Sequence, residues 1–281
     1  MEQNVGAPAS GASLRERVPG QSVITELLRI QGQRTPQNFL GRLFGVDPVS
    51  KEAQAWFAGA LGEIEVGRIL ARLGPDYTVL HAVPVGAGSS DIDHVVIGPP
   101  GVFTLNTKHH KKKDVWVAGG TLMVNGSKEP HIRNSVSEGK RAAKFLSQAV
   151  GHPVDVTTMI VLVGASKLNI KKKPDTVEVL DSKTLLRWFK RRPVMLSPDD
   201  LATLADLAQH PELWHKEPAA EQNTDTLMAD FKGIEQAVEK ARSRRRMWGW
   251  GGMAAIVVAI LAFGPALAAS LTVFIPGHFG Q

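Results

Sequence analysis

The chain has 281 residues, 43% hydrophobic and 21% charged, which excludes a wholly disordered or acidic-tail protein, and its 27 glycines follow no collagen period. It contains no cysteine, hence no disulfide framework, thiolate metal site or cysteine nucleophile. Thirty-three basic against 27 acidic residues leave a net charge of +6, a modest excess that permits an anionic partner, and the mean hydropathy of −0.07 averages very unlike segments.

Residues 1–47 combine a mobile leader, rich in Gly, Ala, Ser and Pro, with a short helical pattern (Ile24, Leu27, Leu28) interrupted by Pro36. Residues 1–22 hold no apolar stretch, which argues against a secretory signal. A folded domain is expected over 48–214. It opens with a helix over 50–73, Ser50 as its N-cap and Gly74-Pro75 as its stop. Strand patterns follow at 77–83, 91–97 and 102–108, then a hairpin over 115–124 turning on Gly119-Gly120. A helix over 135–150, a buried strand at 154–163, a short strand at 177–180 and helices at 183–189 and 198–209 complete it. Helix, three strands, helix and strand is an α/β order with a mixed sheet.

Residues 215–247 read as a linker leading into a basic amphipathic juxtamembrane helix. From Trp248 to Pro276 there is no charge, and 253–275 are almost entirely Ala, Ile, Val, Leu and Phe. Roughly 20 residues, rising about 1.5 Å each, cross a hydrocarbon core about 30 Å thick, so 248–275 is expected to be a transmembrane helix in contact with the lipid bilayer. Lys240, Arg242, Arg244, Arg245 and Arg246 precede it with no acid among them. That bias implies a single-pass membrane protein with its N-terminal domain cytoplasmic and a short external C-terminus. Trp248 and Trp250 fall at the expected interfacial belt, and Gly264-Pro265 should kink the span. The alternative is a buried core helix.

The residues that can carry chemistry lie in the central hairpin. Strands 91–97 and 102–108 are separated by Gly98-Pro99-Pro100-Gly101, a strong turn signal. If Ile97 pairs with Val102, Asp93 lies opposite Asn106 and Asp91 opposite Lys108, all on one face. Directly opposed side chains are about 5 Å apart at Cβ, close enough to converge on one ion or one water. On the preceding helix Trp56, Ala60, Glu63, Gly67 and Leu70 form a stripe, with Gly62 and Gly67 permitting close backbone approach. A carboxylate on such a stripe is costly unless paired or metal-bound; the bland alternative pairs Glu63 with a nearby arginine at the helix edge. Asp and amide oxygens are hard ligands suited to Mg²⁺ or Mn²⁺, and a neighbouring lysine can orient an attacking water and offset transition-state charge.

Leu61-Gly62-Glu63, the run from Asp91 to Phe103 and Thr107-Lys108 resemble the nuclease-related domain, NERD, of the PD-(D/E)XK nuclease-like superfamily. Asn134 and the helix carrying Glu138 resemble that family's Asn-Pro-x-x-Gln segment, with Ser135 in place of the proline. The resemblance covers residues 51–165. It implies a restriction-endonuclease-like αβββαβ core with a mixed sheet and DNA processing. Glu63 would be the helix acid, Asp93 the principal metal ligand and Lys108 the active-site lysine. The family's third strand ends in an acid, one residue and Lys, whereas Asn106 occupies the acidic position here. Asn106 can donate an oxygen without charge, leaving Asp91 as the substitute.

His109, Lys111, Lys112 and Lys113 end the third strand and could contact phosphate, or could be a solvated loop. Phosphate-loop, nucleophile-elbow and His-Glu-x-x-His patterns are absent, which argues against a nucleoside triphosphatase, an α/β-hydrolase and a zinc protease respectively. Two readings result. One is a membrane-anchored, metal-dependent nuclease acting at the cytoplasmic face, with DNA its favoured nucleic acid; the other is a catalytically silent binding module, motivated by Asn106. A purely lipid-organising role ranks below both, because the basic run is explained as a topology signal.

Overall fold

The computed structural model describes residues 13–33, 37–86, 90–215 and 223–273, with the side chains of 255–260 and 263–273 outside the description. In chain order a single helical turn (Leu14–Glu16) is followed by α1 (Gln21–Gly32), α2 (Phe39–Leu43) and α3 (Gln54–Leu70). Then come β1 (Thr78–Pro84), β2 (Asp91–Gly98), β3 (Gly101–His109), β4 (Asp114–Ala118), β5 (Thr121–Val124), β6 (Ser127–Glu129) and α4 (His131–Val150). The chain continues through β7 (Val156–Val163), β8 (Lys167–Lys172), β9 (Glu178–Asp181), α5 (Ser182–Lys190), α6 (Pro198–Ala208), α7 (Pro211–Trp214) and α8 (Thr224–Val273). Two units divide these elements. The first holds the described residues up to Gly32 and from Lys51 to Asp230; the second holds those between 33 and 50 and from Phe231 onward.

In the first unit a five-stranded mixed sheet has the order β1-β2-β3-β7-β9, with β1, β2 and β3 antiparallel and β3, β7 and β9 parallel. β2 and β3 are buried on both faces over Val95–Ile97 and Val102–Leu105, and their charged residues lie toward the far ends of these strands. Val95 and Ile97 join Ala142 and Leu146 of α4, with Leu204 and Trp214 from α6 and α7. Val96 and Leu105 instead join Val66 and Leu70 of α3 and Leu185 and Phe189 of α5. The αβββαβ order expected from the sequence is thus observed. A second sheet, β6-β5-β4-β8, adds a third apolar cluster with Val115, Val117, Leu122 and Ile132. Its β4–β5 hairpin turns where expected, with Ala118 paired to Thr121.

Several boundaries differ from expectation. Residues 51–53 form a turn, so α3 starts at Gln54 with Ala53 rather than Ser50 at its cap. α4 begins at His131, which draws Asn134 into its first turns. β6 and β8 escaped the sequence reading because they are short and rich in lysine and exposed positions. The segment read as a mobile leader is structured from residue 13: Leu14 is buried and its N–H donates to Gln209 O, while Ile24 and Leu27 of α1 are fully buried. Leu14 alone does not raise the hydropathy of a Gly- and Pro-rich stretch, whereas Ile24 and Leu27 lie in the helical pattern expected from the sequence.

Among the described residues no helix is long and apolar enough to cross a membrane. The transmembrane helix expected at 248–275 is therefore not supported by them. Most of that run, with its Gly264-Pro265 pair, involves side chains or residues outside the description, and part of the expected linker, 216–222, lies outside it as well.

Glycine fixes how closely α4 approaches the sheet. A Cβ at Gly139 would lie 2.1 Å from Thr158 Oγ1 on β7 and 3.3 Å from Thr104 Oγ1 on β3. Gly139→Ala should therefore push α4 outward and cost about 1–3 kcal/mol, measured as a lowered urea midpoint. Gly120→Ala, where a Cβ meets nothing within 4 Å, should leave the midpoint nearly unchanged; equal midpoints for the two variants would contradict this packing.

Candidate active site

β2 and β3 pair from Gly98↔Gly101 through Ile97↔Val102 to His94↔Leu105, the register expected from the turn. The ladder stops there. Asp93 Oδ2 instead accepts a hydrogen bond from Thr107 N–H at 2.5 Å. On its other side β2 pairs with β1 at His81↔His94 and again at Val83↔Ile92, skipping the position between. Ala82, at the gap, has φ +47°, a left-handed conformation unusual for a residue with a Cβ. Its carbonyl accepts from the Arg17 guanidinium. Asp93 thus occupies the point at which β2 is released from both neighbours, an irregularity of the kind that re-aims functional side chains.

Glu63 on α3 is 5% exposed. The helix can bring it in because Gly62 and Gly67 carry no side chain: a Cβ would lie 3.0 Å from His109 Cβ at the first and 2.3 Å from Pro19 Cγ at the second. Trp56, expected on the same stripe, is 38% exposed, and Phe57 is buried in its stead. Gly20 N–H donates to the Glu63 carboxylate, and Ser22 donates to Asp91. Arg17, Gly20 and Ser22 all precede the helical pattern expected around Ile24 and Leu27, and no motif marks them.

Asn106 is buried and its Nδ2 donates to both carboxylate oxygens of Glu138, at 2.8 and 2.7 Å. The position where the resemblance leads one to expect an acid therefore holds an amide that grips an acid from α4. Sequence spacing places Glu138 on that helix but cannot say which face it presents.

Four carboxyls share this region, and each is pushed above its ordinary range. Burial is the first cause for Glu63, reinforced by the charges of Asp93 and Asp91. Burial raises Asp93 to about 7, opposed by Lys108 and reinforced by Asp91. Asp91 is raised by burial against the Ser22 bond and Arg17, and Glu138 by burial against the Asn106 bond, Lys108 and Arg141. Lys108 is the cation whose charge acts on all four. Glu63 Oε2 and Asn106 Oδ1 are buried acceptors with no partner.

The donor chemistry fits a hard divalent cation: unpartnered oxygens beside an excess of buried negative charge. Among the described residues, however, no three His, Asp or Glu side chains are arranged to hold a metal. Any ion here would take few carboxylates directly and depend on Asn106 and water for the remainder.

The basic residues separate. His109 Nδ1 is 2.7 Å from Ala58 O, which ties the ring to α3. Lys111, Lys112 and Lys113 are exposed in a turn closed by Lys113 N–H donating to His110 O. His110, part of the basic cluster at the end of the third strand, and His131, not singled out by sequence, bring Nε2 atoms within 3.3 Å; burial first, then neighbouring lysine charge, lowers both to about 4, so they are neutral at pH 7. His81 and His94 form a second pair, Nδ1 to Nδ1 at 2.8 Å, in the interior.

Residues 58–163 match the family model of the nuclease-related domain, NERD. That stretch contains Glu63, both aspartates, Asn106, Lys108 and Glu138. No curated protein and no solved structure matches the chain.

The Asp93 carboxyl offers a pH test. Its folded pKa, about 7, lies above the unfolded value near 3.8, so the folded state holds more protons between those values and stability should fall as pH rises from about 4 to 7. Asp93→Asn should flatten that decline and raise stability above pH 7 by on the order of 1–3 kcal/mol, read from urea unfolding across pH. An unchanged profile would show that Asp93 is not held in this desolvated setting.

Proposed function

We propose that this chain is a metal-dependent phosphodiesterase acting on nucleic acid, with DNA the favoured substrate, and that residues 248–275 tether it to the membrane. The observation that carries the catalytic reading is the Asn106–Glu138 pair. The resemblance couples an acid on the third strand with Gln on the helix; here the strand has the amide and the helix the acid, joined by two hydrogen bonds. The negative charge is relocated by one side-chain length. This supports catalysis over the silent-module reading that Asn106 alone suggests.

Asp93 and Asn106 Oδ1, completed by water, would hold Mg²⁺ or Mn²⁺, which would supply Lewis acidity and lower the pKa of a bound water, while Asp91 and Glu63 would act from beside the ion. Lys108 positions the water and offsets charge as oxygen attacks phosphorus and the leaving oxygen departs. Glu138 fixes the Asn106 amide so that its carbonyl oxygen faces away from the carboxylate. His110 and His131, neutral at pH 7, offer hydrogen bonds to phosphate rather than charge. His109 packs against α3, while Lys111, Lys112 and Lys113 extend a salt-sensitive phosphate surface. The tether rests on the charge-free run and the five preceding cations, which put the domain at the cytoplasmic face.

The full-length chain, solubilised from membranes, should cleave nucleic acid when Mg²⁺ or Mn²⁺ is added. Asp93→Ala or Lys108→Ala should each slow cleavage by roughly 100-fold or more, with binding retained. Undiminished cleavage in either variant would refute the site; salt-sensitive binding without cleavage in the wild type would favour the silent module.

The pair itself can be tested by exchange. Asn106→Asp alone sets two carboxylates against each other and should destabilise the metal-free protein, whereas adding Glu138→Gln should recover most of the loss. A coupling of about 1–3 kcal/mol is expected from the double-mutant cycle, and additive effects would show that the two residues do not act together.

A further inference from the structure

The second unit carries a feature that the nuclease reading does not use. α2 is too short to hide an apolar face, and it does not: Phe39 is 75% exposed, Leu40 58%, Phe44 49% and the following Val46 50%. Beside it on α8, Met247 is 66% exposed, Trp250 74% and Met253 59%. This exposure belongs to a built structure rather than a loose end. Arg244 donates to Arg42 O at 2.7 Å, Arg245 to Gly45 O at 3.2 and 3.0 Å, and Trp248 Nε1 to Leu43 O at 2.9 Å. Phe44 and Trp248 pack with their rings tilted by 47° and 5.1 Å between centroids. Gly45, at φ +69°, permits the approach, because a Cβ there would lie 2.3 Å from Ala241 O. Asn38 caps α2 by accepting from Gly41 N–H, and Gln37 Nε2 closes the loop onto Val46 O and Asp47 O.

We propose that α2 and the adjoining turn of α8 form a wedge that docks on an anionic lipid bilayer. Residues 37–46 contain no acid and one cation, and exposed Arg242 and Arg246 flank the wedge. Aromatic and aliphatic side chains ringed by arginines suit the boundary between headgroups and acyl chains of an anionic leaflet. Leu40, Val46, Met247 and Met253 offer nothing for nucleic-acid bases to stack on, which argues against an extension of the substrate surface. The wedge is also continuous in sequence with the charge-free run that starts at Trp248, and to that extent it rests on the membrane reading of that run. Arg244, Arg245 and Trp248 would set the wedge at the level where the helix meets the interface.

The absence of cysteine makes single labels straightforward. Phe39→Cys, Val46→Cys and Val258→Cys, each in the full chain and carrying an environment-sensitive fluorophore, would be reconstituted in vesicles of roughly three parts phosphatidylcholine to one of phosphatidylserine. Quenchers are placed high or low on the acyl chains. Labels at 39 and 46 should be quenched by the shallow quencher at least about twofold more than by the deep one, and Arg242→Glu with Arg246→Glu should weaken that shallow quenching several-fold. Labels at 39 and 46 that stay in water, or are shielded only by self-association at rising protein concentration, would overturn the wedge. So would shallow quenching indifferent to the arginine changes. The label at 258 reports the span independently: deep quenching there with none at 39 or 46 refutes the wedge and keeps the anchor, and the reverse keeps the wedge and refutes the anchor.

Discussion

Asp93 Oδ2 takes the hydrogen bond of Thr107 N–H where no ladder carbonyl reaches it. A strand held on both sides would direct its side chains by simple alternation, and a carboxylate there would be fixed by the backbone. Skipping one position on the β1 side and ending the β3 ladder at His94 leaves the direction of Asp93 to be decided by its own side chain. The buried Thr107 amide thereby finds a charged acceptor, a stronger bond than a neutral carbonyl gives. Ala82 bears the local cost with its positive φ, and Arg17 covers the carbonyl exposed by the gap. The segment before α1 is consequently part of the site's construction.

This arrangement concentrates like charge in the interior. Glu63, Asp91, Asp93 and Glu138 are all raised by burial, and Lys108 is the one cation that acts on each of them. Such a cluster opposes folding at neutral pH, because burial and mutual repulsion outweigh the charges of Lys108, of Arg17 on Asp91 and of Arg141 on Glu138. Sites built for function commonly sacrifice stability in this way. The extensive apolar burial on both faces of the central strands provides the surplus that tolerates it, with Leu80, Val95, Val96, Leu105, Val161 and Leu162 all fully buried.

The sequence made legible whatever depends on period and turn chemistry. Two glycines flanking two prolines set the β2–β3 register to the residue as far as His94↔Leu105, but the ladder ends before the expected Asp93–Asn106 and Asp91–Lys108 pairings. The αβββαβ order was visible because each of these strands contains a short apolar stretch bounded by turn residues. The contributions that escaped are those made by residues whose role is decided by tertiary contacts. Gly20 acts through its backbone N–H, which has no sequence signature, and Pro19 matters because Gly67 leaves room for it. Glu138 sits on a polar helix where several acids or amides would have read alike. The C-terminal run was read from composition alone, and most of its side chains lie outside the described residues, so packing adds little to it.

The exchange between Asn106 and Glu138 makes charge at this site a property of a pair of elements. β3 and α4 are distant in sequence, and their separation is set by contacts such as Gly139 against Thr158 and Thr104. An acid on the strand would carry its charge with the backbone of β3 and would need nothing from the helix. An acid on the helix reaches the same region only if α4 lies close to the sheet, and the two bonds from Asn106 then fix its carboxylate in register. Packing that looks merely structural, a glycine against two threonine hydroxyls, therefore controls where the fourth carboxylate stands. The same bonds occupy the Asn106 amide and leave Oδ1 without a partner. With the acid on the helix, the strand position beside the other carboxylates carries a neutral amide oxygen instead of a charge.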